Sequence, residues 1–305
     1  MRQREQRQDP GGARLTPRDL SALALIARAQ PVTTAIVAAF ARMSVAMARR
    51  RLRVMRDLGV VNVHAPSLSG ENLYLLAPRG RSVLEDHAEG AGGRPACLRG
   101  IGRLHLAHHL AGVRLYVALA VAADRARSVN LLTYSFECEL RRAVGDAPGV
   151  QVPDGVAVVV GPGGRLALAV EVDRGTENPS YVVRTKAIPY AYLSASGTPL
   201  LGTGRWVVGF VVPSERRRNR LVAAFHDAAV PDALFYWITD DGVCDRTILV
   251  GGWTTVKTSA DGETATLVEA SPFATVLTKR SDGDHGHAAE SASDDAALAL
   301  QERRE

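Results

Sequence analysis

The sequence predicts an α/β (α+β) chain in two parts: a small helical unit closed by a β-hairpin, and a larger α/β unit with a mixed sheet. Three observations predict this. Apolar residues recur at three- and four-residue spacing as far as Leu58, then alternate in two short strand patterns ending at Leu76. From Val150 onward, strand-like and helix-like runs follow in the order β-β-α-β-α-β. Between the two patterns lies the Gly/Pro-rich stretch Glu89–Pro95, a linker by composition. With 305 residues, 46% of them hydrophobic, the chain is long enough to bury two cores, and wholesale disorder is excluded. The expected boundaries are a disordered basic arm at 1–14, the first unit at 15–88, a linker at 89–100, the α/β unit at 101–255, and a C-terminal extension with a disordered tail at 256–305.

In the first unit, Thr16 is the expected N-cap of a helix, with Pro17 at its first position and Asp19 complementing the dipole. Leu20, Leu23, Ala24 and Ala27 form its apolar stripe, and Pro31 ends it. A short helix from Thr33 to Phe40 follows. Ser44 caps a third, in which Val45, Ala48, Leu52, Met55 and Leu58 repeat, and Gly59 stops it. Val60–His64 and Asn72–Leu76 then read as a hairpin. Three helices and a hairpin of this size are the pattern of a winged helix-turn-helix.

Charge singles out the same unit. Residues 1–60 hold twelve arginines against four acids, a net +8, whereas the whole chain carries +5. Such an imbalance points to a polyanionic partner, most simply double-stranded DNA. Arg49, Arg50, Arg51, Arg53 and Arg56 crowd eight positions of the third helix, the element that enters the major groove in this topology. These five are the expected DNA contacts.

Other classes are set aside. The three cysteines are scattered and form no CxxC pair, which argues against a disulfide scaffold or zinc ribbon and for a reducing cytoplasm. The polar N-terminus has no signal-like apolar run, and Val113–Ala123 is too short and interrupted for a membrane span, so no membrane partner is expected. His105, His108 and His109 read as helix surface or inter-domain packing rather than a metal site, because no carboxylate or cysteine lies at ligand spacing.

In the second unit, Val156–Val160 and Leu166–Asp173 are two strands joined by a Gly-Pro-Gly-Gly turn. Without a following Gly-Lys-Ser/Thr, that turn is no phosphate loop. Asp154 precedes the first strand; Glu171 and Asp173 end the second, on one face. Antiparallel pairing brings Asp154 and Glu171 to one edge, where repulsion between carboxylates favours a hard cation, Mg²⁺. Lys186 stands on the next helix, four residues before Tyr190, and that shared face can look back at the carboxylates. It is one of three lysines beside 34 arginines, so its survival in an arginine-rich composition marks it as chemically needed. Glu215–Ala229 is a basic helix, reading equally as a backbone contact or a solvated face.

The string PDG…EVD resembles the PD-(D/E)XK nuclease-like superfamily, in which a Pro-Asp, a second acid and a lysine surround a metal. Here Asp173 stands where the lysine is usual, and Lys186 takes the position used where that lysine has moved to the following helix. The wider string PDG…LALAVEVDRGTE…RTKAIPYAYL, behind a winged helix, resembles the replication-relaxation family of plasmid and mobile-element proteins, over roughly residues 15–240. Tyr134, Glu137, Leu140 and Arg141 match an aromatic-x-x-Glu-x-x-Leu-Arg segment of that family, which adds Glu137 to the acids. The resemblance implies a restriction-endonuclease-like second domain and a DNA-linked role in plasmid replication or relaxation, with replication or mobilisation proteins as partners. The implied catalytic set is Glu137, Asp154, Glu171, Asp173 and Lys186, with Asp154 and Glu171 on the metal. A degenerate, non-catalytic DNA-binding module is the alternative.

Overall fold

Local capping chemistry sets the helix starts of the first unit. The computed structural model describes residues 14–64, 71–87, 103–145, 151–231, 234–258 and 265–278. Helix α1 (Pro17–Ala29) opens with a reciprocal box: the Thr16 side chain accepts from the Asp19 N–H, and Asp19 accepts from the Thr16 N–H. Thr33 and Ser44 cap α2 (Thr34–Phe40) and α3 (Val45–Asp57) from one side only, their hydroxyls accepting from the Ile36 and Met47 N–H groups. Gly59, at φ +71°, makes the left-handed stop that lets β2 (Val61–His64) turn back. Strand β2 pairs antiparallel with β3 (Leu73–Leu76), and α4 (Pro78–His87) follows. A two-residue strand, β1 (Val32–Thr33), joins β3 from the other side and completes a three-stranded sheet ordered β1-β3-β2. Two residues are too few to show alternation, and the sequence pattern starts the helix at Thr33. Leu23, Ile26, Val32, Leu52, Met55 and Val61 fill the core beneath.

The chain divides into two units, Met1–Ile101 and Gly102–Glu305. The expected arm, the linker and the C-terminal tail from residue 281 lie outside the described residues.

The second unit is mixed α/β, built on a seven-stranded sheet ordered β10-β9-β8-β7-β6-β5-β4. The expected hairpin is present as β5 (Gly155–Gly161) and β6 (Gly164–Val172), paired from Gly155↔Val170 to Gly161↔Gly164. Strand β4 (Asn130–Phe136) runs antiparallel to β5, while β7 (Trp206–Val212) and β8 (Phe235–Thr239) add parallel to β6. Those parallel joins need crossovers. The first is α7 (Pro179–Val182), a π turn (Val183–Ala187) and α8 (Ile188–Ala195). The second is α9 (Glu215–Asp227). Pro189 explains the π turn that a continuous helix over 180–195 does not anticipate. It has no N–H and its ring crowds the carbonyl four residues back, so the regular ladder is broken just before it.

The sheet extends past the expected boundary at residue 255. Strand β9 (Thr254–Thr258) crosses it, β10 (Ala265–Glu269) pairs with β9, and α10 (Ala274–Leu277) packs on the β5–β6 hairpin, where the Gly163 N–H donates to the Val276 carbonyl at 2.9 Å. Part of the expected extension is therefore sheet. Polar Thr and Lys dominate Thr254–Thr258, as befits strands near a sheet margin, and hide the signal.

Helix α5 (Arg103–Arg125) packs on β4 and β6, with Val113, Leu115, Val117, Leu119 and Val121 buried. By length and composition its segment His105–Arg125 could cross a membrane, but more than half of its apolar window is buried within the protein. It is longer than the Val113–Ala123 run because the histidine-containing turns continue the same helix. On the opposite face, Ala169, Val208, Phe210 and Val212 pack against Val183, Ala187, Tyr190, Leu221 and Phe225.

Gly155 fixes one end of the hairpin. A Cβ there would sit 2.8 Å from the Tyr134 hydroxyl oxygen, and Tyr134 is itself locked between Tyr116 and Phe136 at ring separations of 5.0 and 4.9 Å. We expect Gly155→Ala to cost about 1–3 kcal/mol of stability through overpacking, read as a lower midpoint in thermal or urea unfolding. An unchanged midpoint would show that Tyr134 moves freely.

Candidate functional site at the hairpin end

Asp154 lies one step beyond the last β5–β6 pair, so the register sets it opposite Glu171. Its position is tied by backbone as well as side chain: the Glu137 N–H donates to the Asp154 carbonyl at 3.0 Å, and the Val172 N–H donates to Asp154 Oδ2 at 2.7 Å. The other oxygen, Oδ1, is 3.1 Å from His108 Nε2 on α5. Burial by itself would raise the Asp154 pKa; the His108 contact, the Lys186 charge and the Val172 N–H outweigh it and hold the carboxyl below its ordinary value.

Glu171 is 2% exposed on β6. Both its oxygens are occupied, Oε2 by Lys186 Nζ at 2.7 Å and Oε1 by the Tyr190 hydroxyl at 2.5 Å. Burial, then repulsion from Asp154, push its pKa up to about 7 despite these two donors. Burial also works against charge on Lys186, but Glu171 and Asp154 prevail and raise its pKa. Tyr190 is raised well above its usual value, by burial first and then by the Glu171 charge. The structure thus brings Lys186 and Tyr190 together on Glu171, beside Asp154.

The remaining acids separate. Asp173 turns away: its Oδ2 accepts from Arg217 Nε at 2.7 Å and its Oδ1 from the Gly175 N–H at 2.6 Å. This is a buried ion pair with α9, so Arg217 is taken out of the basic surface expected of that helix. Arg174 pairs with Asp240, and Asn178 caps α7. Glu137 opens α6 (Glu137–Val144) and is bonded to Arg141 at 2.7 Å, one turn on. Its carboxylate nevertheless belongs with His108 and Asp154: one ligand atom from each of the three lies within 4.8 Å of the others. His108 is the residue that sequence reasoning sets aside. Its carboxylate neighbours are 29 and 46 positions away in the chain, and spacing within the helix carries no trace of them.

On the first unit, four of the five α3 arginines remain on the surface: Arg49, Arg50, Arg53 and Arg56 are exposed. Arg51 is the correction. It grips buried Asp19 through two nitrogens, at 2.9 and 2.5 Å, and so ties α3 to the α1 capping box. Desolvation opposes the Asp19 charge, but bonds from Arg51 and Thr16 hold its pKa below normal. Arg49, Arg53 and Arg56 line a groove of about 280 Å³ together with Thr34, Asn72 and Tyr74. Glu71 also lines it.

Comparison with known families bears on both regions at once. A model of the replication-relaxation family matches residues 23–204. The chain belongs to that family. No curated protein and no solved structure matches it. The family match spans the α3 arginines, Glu137, Asp154, Glu171 and Lys186, and stops before β7. In this replication-relaxation protein the candidate residues are therefore family-spanned, while α9 with Arg217 and strands β7 to β10 lie beyond the match.

The raised pKa of Glu171 has a pH signature. A carboxyl that holds its proton more tightly when folded stabilises the folded state below its unfolded value, 4.5, and loses that contribution as pH rises to about 7. In Glu171→Gln this downward slope should be missing, so the variant's stability relative to wild type should rise between those pH values. Urea unfolding across the window checks it; parallel curves would contradict a titrating Glu171.

Proposed function

We propose that this replication-relaxation protein binds double-stranded DNA through a winged helix-turn-helix and acts on it with a Mg²⁺-dependent phosphodiesterase site that nicks one strand. The observation that carries the reading is the convergence at one hairpin end of Asp154, buried Glu171 and Lys186, with Lys186 Nζ 2.7 Å from Glu171. Two acids and a lysine are what a restriction-endonuclease-like domain of the PD-(D/E)XK kind requires, and a mixed sheet with helical crossovers is compatible with that fold. The exposed arginines of α3 and the three-stranded sheet behind them support the winged-helix reading.

Asp154 and Glu171 would hold the ion. Mg²⁺ bound there supplies positive charge to a phosphate and acidifies a water. Glu171, with its pKa near 7, must shed its proton to serve as a ligand, so cation binding should release protons and strengthen as pH rises through neutrality. Lys186, 28% exposed, keeps donors free for a phosphate oxygen as a compact charge. Tyr190 holds the far side of Glu171 and fixes its rotamer. Replication or mobilisation proteins are the expected partners.

A second reading is favoured by the full occupancy of Glu171 by two donors and by the diversion of Asp173 to Arg217. It is a DNA-binding replication accessory or regulator without catalysis.

Incubating the purified chain with supercoiled plasmid separates the two. We expect nicked circles with Mg²⁺, none with EDTA, and none from Asp154→Ala. Lys186→Arg should slow nicking by about 100-fold, equivalent to about 2.7 kcal/mol of barrier. Tight binding without nicking under every divalent ion would support the accessory role instead. The arginines divide by a different measurement. Arg49→Ala with Arg53→Ala should lower the salt dependence of DNA binding by roughly one to two units. Arg51→Ala should mainly lower unfolding stability, because it strands buried Asp19. Equal effects of all three on DNA binding alone would contradict this division.

A further inference from the structure

We propose that His108, Glu137 and Asp154 form a site for a divalent transition-metal ion, with Zn²⁺ or Co²⁺ preferred over Mg²⁺. The three donors come from three separate elements: α5, the first residue of α6, and the residue before β5. One ligand atom of each lies within 4.8 Å of the others. In the tetrahedral geometry usual for zinc, bonds of about 2.1 Å set two donors about 3.4 Å apart, so the three side chains must draw in by up to about 1.4 Å to share an ion.

The surroundings fit a ligand set. Asp154 Oδ2 is engaged by the Val172 N–H at 2.7 Å, which orients the carboxylate and leaves Oδ1 facing His108. The backbone bond from Glu137 N–H to the Asp154 carbonyl, at 3.0 Å, fixes the two acidic residues relative to each other. The present partners are replaceable. His108 and Asp154 make the ion pair that a metal would substitute, and the Glu137–Arg141 bridge joins two partly exposed side chains of one helix, an interaction of small worth. His108 is 33% exposed and Glu137 39%, so an ion can enter from solvent. An imidazole nitrogen with two carboxylates suits zinc, cobalt or iron, whereas Mg²⁺ favours oxygen ligands and retains its water. The inference shares Asp154 with the proposed phosphodiesterase site but needs neither Glu171 nor Lys186, and it holds whether or not the protein cuts DNA.

Cobalt is the probe, because its visible absorption reports ligation directly. The full chain, stripped with EDTA, is titrated with Co²⁺ in the absence of DNA and then with Zn²⁺ and Mg²⁺ as competitors. The expected result is one Co²⁺ whose visible band is bleached by stoichiometric Zn²⁺ but survives millimolar Mg²⁺. His108→Gln and Glu137→Gln should each weaken binding by at least about tenfold, while His105→Gln, on the same helix, should bind like wild type. Thermal melting confirms that the variants fold, and partly exposed Glu137 is the safer of the two substitutions. Absence of Co²⁺ uptake overturns the proposal. So does binding that is equally tight in His108→Gln, the result expected if His285 and His287, outside the described residues, held the ion. Plasmid nicking bears only on the phosphodiesterase: His108-dependent cobalt binding without nicking overturns that reading alone, and Mg²⁺-dependent nicking without such binding overturns this one alone.

Discussion

A carboxylate buried in an apolar sheet must be given donors or a proton, and Glu171 is such a carboxylate. From Leu166 to Val172 its strand is otherwise Leu, Ala and Val, and it stands between Phe210 on β7 and Asp154 just before β5. Leaving it ionised without partners would cost several kcal/mol. The crossover after β6 supplies both donors from one stretch of chain, Lys186 within the π turn and Tyr190 in α8. Because both must reach the same carboxylate, that stretch has little freedom to rotate or slide. Tyr190 also packs edge-on against Trp206 at 6.2 Å, which links the polar contact to the start of β7. Lys186, Tyr190 and the start of β7 are thus tied together around Glu171.

Two other buried acids obey the same rule with a different cation. Asp19 recruits Arg51 and Asp173 recruits Arg217. Arg51 grips Asp19 through two nitrogens of its planar fork, whereas Arg217 reaches Asp173 through Nε alone. Lysine offers one ammonium with three donors. Lys186 gives one to Glu171 and is the most exposed of the three cations. The arginine pairs read as fasteners between elements; the lysine pair keeps a charge facing outward.

Much of this was legible in the sequence, and the residues show why. Helix caps at Thr16 and Ser44 are local, so side-chain chemistry within three positions is enough to read them. The β5–β6 hairpin was legible because two continuous apolar runs flank a glycine turn, and the meeting of Asp154 with Glu171 follows from its register. Lys186 and Tyr190 share a face at a spacing of four. What escaped were facts decided at long range. Asp173 looks equivalent to Glu171 until α9 presents Arg217, and Arg51 looks like its neighbours until α1 presents Asp19. His108 looks like a surface histidine until the sheet brings up Asp154. Strand β1 was too short, and β9 too polar, to carry a pattern.

The hairpin register has a consequence for how the gene can change. The Gly161↔Gly164 turn sits six pairs from Gly155↔Val170, about 20 Å along the strands. A single inserted or deleted residue at that turn, if absorbed by sliding β6 past β5, would swing Glu171 to the opposite face and put Val170 or Val172 in front of Lys186. The turn therefore behaves as a ruler for chemistry it never touches. Length variation should be poorly tolerated at this glycine bend, and the α10 segment docked on Gly163 adds a second reason for the bend to keep its length.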